Sequence, residues 1–133
     1  MKKKICIVIA NYYPNVSRDL LFGATSELKR IKNINIKTIY VPGIFEIPFV
    51  ISKNLKFFDG FIALGCVIKG ETPHFDFISL STFSAIMDLS ITYKKPIGNG
   101  IITCLNLKQS LERSNPNKKN KGGESAKALL SIL

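Results

Sequence analysis

Residues 64–78 read Leu-Gly-Cys-Val-Ile-Lys-Gly-Glu-Thr-Pro-His-Phe-Asp-Phe-Ile and include His74, the only histidine of the chain. An apolar run, residues 61–64, precedes this stretch and an apolar helical pattern begins at Phe75, so we predict a strand, a loop and a helix in that order. In an open parallel α/β sheet, ligands usually bind at the loops that leave the carboxyl ends of the strands. This loop adds three polar side chains: Lys69, Glu71 and Thr72. The combination suits proton transfer beside a bound anion.

The single histidine admits two interpretations. A lone histidine at the start of a helix often only caps the helix or lies half-buried at the surface, and the residue taken alone favours this structural role. An imidazole can also accept and donate a proton near neutral pH, which is the property that a general acid–base catalyst needs. The choice between the two depends on the rest of the chain.

Length and composition predict one globular domain, residues 1–133. The chain has 133 residues, of which 46% are hydrophobic and 21% charged, enough to bury a core without disulfides. No apolar run approaches the roughly 20 residues that cross a bilayer, so we expect no membrane association. Lysines at residues 2–4 and the short apolar run after them imitate a signal peptide, but no cleavage site follows. We therefore predict a cytoplasmic protein.

The three cysteines, Cys6, Cys66 and Cys104, lie far apart and inside or beside apolar runs. None has a second cysteine or a histidine at metal-ligand spacing. We predict that they are reduced core residues, with neither a metal site nor a disulfide framework.

The formal net charge of +10 suggests a nucleic-acid partner. The lysines, however, are scattered over nearly every segment, and no recognition-helix, RNA-binding-sheet or zinc-finger pattern accompanies them. A positive field that attracts a phosphorylated small molecule explains the charge equally well, and so does a lysine-rich composition without a function. We expect small-molecule substrates and no nucleic acid.

Apolar runs alternate with amphipathic segments along the chain. We predict strands at residues 4–10, 34–41, 59–67 and 97–104, the first of them a continuous apolar run. Helices are expected from a cap at Ser17, around Pro48, over residues 75–93 and 107–113, and over 124–133. Because strands and helices alternate, we predict an α/β fold, a three-layer αβα sandwich with a four-stranded parallel sheet of the flavodoxin-like kind.

The loops after the strands leave the same edge of such a sheet, so their side chains are expected to converge on one site. Tyr12 could plug the core or stack on a heterocycle. Glu46 could complement a helix dipole or accept hydrogen bonds from hydroxyls. Asn99 lies between two strand glycines, which mark close packing or an approaching ligand.

The motifs taken together resemble those of the lumazine synthase family over nearly the whole chain. They are Val-Pro-Gly-Ile-Phe-Glu-Ile-Pro at residues 41–48, the His74 stretch at residues 64–76, Leu-Glu-Arg at residues 111–113 and Asn-Lys-Gly at residues 120–122. The resemblance implies a transferase of riboflavin biosynthesis that condenses 5-amino-6-(D-ribitylamino)uracil with 3,4-dihydroxy-2-butanone 4-phosphate. The implied product is 6,7-dimethyl-8-ribityllumazine, and neither a cofactor nor a metal is implied.

The same resemblance implies a role for each matching residue. His74 matches the proton-transfer residue. The pyrimidine and ribityl side is matched by Tyr12, Ile44, Phe45, Glu46, Cys66, Val67, Ile68 and Asn99. The side that holds the phosphorylated ketone is matched by Glu71, Thr72, Arg113 and Lys121.

Members of this family build their sites between adjacent subunits, so the resemblance implies a homo-oligomer, with His74 and Arg113 contributed by one chain and Tyr12 or Asn99 facing them from the next. A short amino-terminal segment and a short last helix favour a free pentamer over a capsid. Asn99 stands where many members have phenylalanine. An alternative is a module of the same fold that binds a flavin or lumazine without turnover.

Overall fold

The computed structural model describes residues 2–133. They form four parallel strands in the order β2-β1-β3-β4: β1 (Lys3–Ala10), β2 (Ile34–Val41), β3 (Gly60–Ile68) and β4 (Ile97–Cys104). They also form one 3-10 turn, Ile44–Glu46, and five α-helices: α1 (Pro14–Leu28), α2 (Ile47–Asn54), α3 (His74–Tyr93), α4 (Leu107–Ser114) and α5 (Lys121–Ile132). The predicted α/β class and parallel sheet are confirmed.

The helices cover both faces of the sheet and make a three-layer sandwich. On one face, α1 and α5 pack against the sheet through side chains such as Leu20 and Leu129, and α4 lies beside them. On the other face, α2 and α3 pack through Ile51 and Ile86. Because β1 and β3 occupy the middle of the sheet, their apolar side chains are buried on both faces, as expected for central parallel strands. β4 is left as an edge strand.

Two helices begin earlier than the sequence predicts. Helix α1 begins at Pro14, and Ser17 does not cap it; Ser17 is buried, and its hydroxyl donates a 2.8 Å hydrogen bond to the carbonyl of Ala10. Helix α5 begins at Lys121, because the side chain of Asn120 accepts a hydrogen bond from the N–H of Gly123. Ser17 therefore links α1 to β1 and does not cap the helix, and Asn120 acts as the cap of α5.

The glycines of β4 serve close packing. A Cβ on Gly98 would collide with the carbonyl oxygen of Ser125, and a Cβ on Gly100 would lie 2.8 Å from the hydroxyl oxygen of Ser125. The strand therefore approaches α5 more closely than any residue with a side chain would allow. The sequence left open whether these glycines mark close packing or an approaching ligand. The structure shows that they allow α5 to pack closely on this face of β4.

Helix α3 is poorly covered by the rest of the chain. Its buried residues are Ser79, Thr82 and Ile86. By length and composition alone, this helix of 20 residues could cross a membrane, although it contains no uninterrupted apolar run of that length. Serines and threonines interrupt the apolar runs of α3, so the high mean hydropathy of the helix is not visible as a continuous apolar run. The exposed apolar surface of α3 is a candidate contact surface.

Lys94 ends α3 in the left-handed conformation, with φ at 52°. Glycine adopts this conformation without the clash of a Cβ, so Lys94→Gly is expected to raise the free energy of unfolding by about 0.5–1 kcal/mol. Urea denaturation at fixed protein concentration measures the change. Lys29→Gly is the matched control, because Lys29 ends α1 with φ at −67° and gains nothing from glycine. Equal shifts for the two variants would contradict the prediction.

Candidate active site

A pocket of about 450 Å³ lies at the carboxyl ends of β1, β2 and β3, beside the first turns of α3. We call it the histidine pocket, and it is lined by Tyr12, Tyr13, Pro42, Gly43, Ile44, Phe45, Glu46, Cys66, Val67, Ile68, His74 and Ile78. It brings together three separate loops, as the parallel topology predicts.

The wall that carries Phe45 and Glu46 is held against β3 by a close contact. A Cβ on Gly65 would lie 2.8 Å from a methyl group of Ile44, so the absence of a side chain at this position lets the 3-10 turn pack on the strand. One carboxylate oxygen of Glu46 accepts a 2.8 Å hydrogen bond from the N–H of Gly43. Glu46 thus has a local structural role, and its second oxygen is available to a ligand.

Two aromatic side chains of the pocket are exposed. Tyr12 is 70% exposed and Phe45 is 68% exposed. The rings of Tyr12 and Tyr13 form a T-shaped pair, with 4.9 Å between the ring centroids. Exposed rings beside a pocket offer flat apolar surfaces on which a heterocycle can stack.

His74 is the first residue of α3, and its side chain is exposed at the mouth of the pocket. Its backbone N–H donates a 3.4 Å hydrogen bond to the hydroxyl of Thr72. The N-cap residue of this helix, Pro73, makes no side-chain capping hydrogen bond. Glu71 and Thr72 lie on the exposed loop just before His74, outside the residues that line the pocket. The imidazole and the helix end therefore face solvent together, where a substrate can reach both.

A second cavity, of about 440 Å³, runs along the edge of β4. We call it the arginine groove, and it is lined by Phe83, Asn99, Gly100, Ile101, Ile102, Thr103, Arg113, Lys121, Glu124, Ser125 and Ala128. Arg113 lies in the last turn of α4, and its buried Nε has no hydrogen-bond partner among residues 2–133. Lys121 pairs with Glu124 at 3.0 Å, and both side chains are substantially exposed. An exposed pair of this kind is weak, so the groove retains positive charge for an anion.

Comparison with known proteins identifies the family. The family model for 6,7-dimethyl-8-ribityllumazine synthase matches residues 2–133. The chain belongs to this family. A synthase of that name from Bartonella tribocorum is 43% identical over 138 residues, covering 100% of this chain and 91% of the relative. One from Buchnera aphidicola is 42% identical over 135 residues, covering 97% and 84%. The sequence-based expectation of a lumazine synthase, a transferase of riboflavin biosynthesis, is confirmed.

The lumazine synthase residues fall into two groups within one chain. The histidine pocket holds Tyr12 with His74, whereas Asn99 and Arg113 line the arginine groove. The expected convergence of Asn99 with Tyr12 is therefore wrong for a single chain, and so is the expected grouping of His74 with Arg113. The cause is topological, because β3 lies between β1 and β4 and Asn99 is near the amino end of its strand.

The lining also includes residues that the sequence did not single out. Ile78 follows His74 by one helical turn, and this spacing could have placed both on one face of α3. Thr103 shares a face of β4 with Asn99, because alternate residues of a strand point the same way. Tyr13 and Glu124 had no signal beyond being neighbours of the motifs.

The cysteine of the histidine pocket is not an acid–base group at neutral pH. Burial, and then the neighbouring Cys104 thiol, raise the pKa of Cys66 to about 12. The positive charge of Arg113 opposes this change without reversing it. All three cysteines are buried free thiols in the described chain, as predicted. Cys66 is therefore not a candidate for proton transfer in this pocket.

Proposed function

We propose that this enzyme condenses 5-amino-6-(D-ribitylamino)uracil with 3,4-dihydroxy-2-butanone 4-phosphate and releases 6,7-dimethyl-8-ribityllumazine, water and inorganic phosphate. The observation that carries the proposal is the histidine pocket, in which the only imidazole of the chain lies beside two exposed aromatic rings. Family membership supports it, since the curated relatives carry the name of this product.

The reaction needs repeated proton transfer. The amine of one substrate attacks the ketone of the other, and the resulting carbinolamine loses water to give an imine. Phosphate is then eliminated, and attack of the second amine on the remaining carbonyl, with loss of a second water, closes the ring. Each step adds or removes a proton, and one imidazole can serve several of them. His74 is exposed at the mouth of the pocket and can reach both substrates. The remaining acceleration comes from holding two substrates in contact.

The pyrimidine substrate fits the histidine pocket. Tyr12 and Phe45 offer ring faces for stacking, and the free carboxylate oxygen of Glu46 can accept hydrogen bonds from ribityl hydroxyls. The last residues of β3, from Cys66 to Ile68, line the same pocket, where their backbone groups can meet the edge of the uracil. We propose this orientation because it leaves the reacting amine near His74.

The phosphorylated ketone requires a cationic group. Arg113 has a buried Nε without a partner, and a guanidinium binds phosphate through two parallel charge-assisted hydrogen bonds. Lys121 adds charge to the same groove. Glu71 and Thr72 lie beside the uncapped end of α3, whose N–H groups also favour anions. No cofactor enters this scheme, and that no metal is needed stays a prediction.

The two cavities are complementary halves of one site only if different chains supply them. We propose a homo-oligomer, a pentamer as the resemblance implies, in which the arginine groove of one subunit faces the histidine pocket of the next. A head-to-tail contact of this kind closes into a ring. The uncovered side of α3 supports it, since Phe77, Leu80, Met87 and Ile91 are exposed and follow heptad spacing.

Mixing of two defective variants tests both the reaction and the shared site. The unmodified chain is expected to form product from the two substrates, followed by absorbance and fluorescence, whereas His74→Ala and Arg113→Ala are each slow. Unfolding and refolding an equal mixture places an intact histidine pocket against an intact arginine groove in about a quarter of the sites. Activity should return to about this fraction of the unmodified rate.

The control is His74→Ala mixed with the double variant, which contains no intact histidine pocket in any arrangement. If the refolded mixture of His74→Ala and Arg113→Ala regains no activity, one chain supplies the whole site. No product from the unmodified, folded oligomer would overturn the proposed reaction, and tight flavin binding by that protein would then favour a module without turnover.

A further inference from the structure

The amino edge of the sheet, opposite the histidine pocket, collects basic side chains. Along the sequence the lysines are scattered, and this scatter is the reason for expecting no nucleic-acid partner. In a parallel sheet, however, all the strands start at one edge, together with the turns that precede them. About half of the 19 lysines and arginines therefore lie at this edge. We call it the lysine edge, and its basic residues are Lys3, Lys4, Lys29, Arg30, Lys32, Lys53, Lys56, Lys94 and Lys95.

Hydrogen bonds join the turns of the lysine edge into one surface. The backbone N–H of Lys3 donates at 2.8 Å to the carbonyl of Asn33, in the turn before β2. In the turn before β3, the N–H of Asp59 donates at 2.7 Å to the carbonyl of Lys4, and its carboxylate accepts the N–H of Lys4 at 2.8 Å. Nζ of Lys95, in the turn before β4, donates at 2.9 Å to a carbonyl of the turn before β3. The basic side chains therefore lie on a connected frame about 14 Å wide, the width of three strand spacings.

Few carboxylates offset this charge. Glu27 and Asp59 are the acidic side chains at the same edge among the described residues, so most of the net charge of +10 lies there. Glu27 pairs with Arg30 at 3.9 Å, and this is the one salt bridge that a basic residue of the edge makes within the described chain. The other cations of the edge are available to an anionic partner.

Helix dipoles explain only part of the pattern. A cation near the carboxyl end of a helix is stabilised by the helix dipole, and Lys29, Lys53 and Lys94 lie at such ends. No basic residue of the edge lines the histidine pocket or the arginine groove, so substrate binding does not explain the remainder. Four exposed lysines of the edge lie outside the helices: Lys3, Lys4, Lys32 and Lys56.

An exposed aromatic ring lies among these cations. Phe57 and Phe58 are adjacent in the turn before β3, but only one of them packs in the core. Phe58 contacts Phe61, with 5.8 Å between the ring centroids, whereas Phe57 is 65% exposed. The backbone N–H of Phe57 donates at 3.0 Å to the carbonyl of Asn54, which fixes the turn that presents the ring. Cations that follow a phosphate chain, beside a ring on which a base can stack, are typical of surfaces that bind single-stranded nucleic acid.

We propose that the lysine edge binds single-stranded RNA, whose phosphates contact the four exposed lysines and one of whose bases stacks on Phe57. A duplex keeps its bases inside and can use the lysines without the ring. The edge consists of strand starts, turns and helix ends, and it lacks the amphipathic helix by which proteins enter a membrane surface. This proposal goes beyond the condensation reaction and does not depend on it. It replaces the expectation of no nucleic acid, because the fold gathers lysines that the sequence scatters.

Fluorescence anisotropy of a short labelled oligouridylate, titrated with the intact protein at several salt concentrations, tests the proposal. The edge variant combines four substitutions: Lys3→Gln, Lys4→Gln, Lys32→Gln and Lys56→Gln. It is expected to bind about 10-fold or more weakly, and its plot of log K against log salt should lose a slope of about 0.7 for each lost phosphate contact. The control variant makes the same change of net charge at exposed lysines away from the edge: Lys108→Gln, Lys118→Gln, Lys119→Gln and Lys127→Gln. The control should keep both the affinity and the slope.

Phe57→Leu tests the stacking contact separately from the charge. Leucine keeps an apolar side chain without a ring, so the affinity is expected to fall by about 5-fold or more, the effect of one stacked base, with the salt slope unchanged. Normal oligomer size of each variant shows that it is folded.

Several outcomes would overturn the proposal. They are the absence of oligouridylate binding at low salt, equal weakening in the edge and control variants, and unchanged affinity in Phe57→Leu. Tighter binding of duplex RNA of the same length would also overturn it. Binding to phosphatidylserine vesicles without binding to oligouridylate would assign the edge to a membrane instead. The proposed reaction stands or falls separately, since these measurements report binding and not turnover.

Discussion

Replacement of His74 by alanine is expected to lower kcat by about 10²- to 10⁴-fold, the usual effect of removing a general acid–base group. The reason is chemical, since the thiol of Cys66, which also lines the pocket, stays protonated at neutral pH and cannot take over the proton transfers. Binding should change little, because the stacking and carboxylate groups of the pocket lie on other loops. The variant should assemble normally, because the His74 side chain is exposed.

Steady-state turnover at saturating concentrations of both substrates measures this prediction. His74→Gln is the companion variant, since it retains a polar side chain of similar reach without an imidazole. A kcat within about threefold of the unmodified enzyme, well below the usual range for a lost general acid–base group, would remove His74 from the mechanism.

Replacement of Arg113 by methionine is expected to raise KM for the phosphorylated ketone by about 10- to 100-fold, as expected for the loss of hydrogen bonds to a charged group. Methionine preserves most of the volume and the apolar contacts of the side chain. KM for the pyrimidine should change far less, because that substrate carries no phosphate. Binding of inorganic phosphate, measured by calorimetry, should weaken in parallel, which gives a readout independent of turnover.

Arg30→Met is the matched control, since the Arg30 side chain is 74% exposed and forms only a 3.9 Å ion pair with Glu27. Arg113→Lys should restore part of the affinity through charge alone, without the paired hydrogen bonds. Equal increases in KM for both substrates would indicate a general disturbance of the groove and would contradict the phosphate role of Arg113.

The bounds of the strands could be predicted closely, because the residue pattern of each strand and the turn-forming segment after it indicate the same end. The bounds of β2 and β4 match the structure, since β-branched residues make up at least half of each strand and a turn-forming or polar segment follows it. The start of α5 could not be predicted, because Gly122 and Gly123 disfavour a helix locally. A Cβ on Gly122 would collide with the backbone of Leu20, so close packing of α1 on α5 requires these glycines. That requirement is visible only in three dimensions.

The site was predictable loop by loop but not as an arrangement. The motif around His74 places an imidazole after a buried strand, and the structure puts it in a pocket with Tyr12. Which residues share a cavity depends on the order of strands in the sheet, and local patterns carry no information about that order. The sequence analysis therefore grouped Asn99 with Tyr12, whereas the structure places it beside Arg113. No sequence pattern indicates its hydrogen bond with the N–H of Ile101.

The uncovered face of α3 also affects how the protein is made. In the proposed assembly, a newly folded chain presents Phe77, Leu80, Met87 and Ile91 to solvent until neighbouring subunits cover them. During that interval, productive association and aggregation both depend on collisions between chains, and they compete for the same surface. Yield of native protein in a cell is then governed by synthesis rate and temperature as well as by the stability of the finished fold.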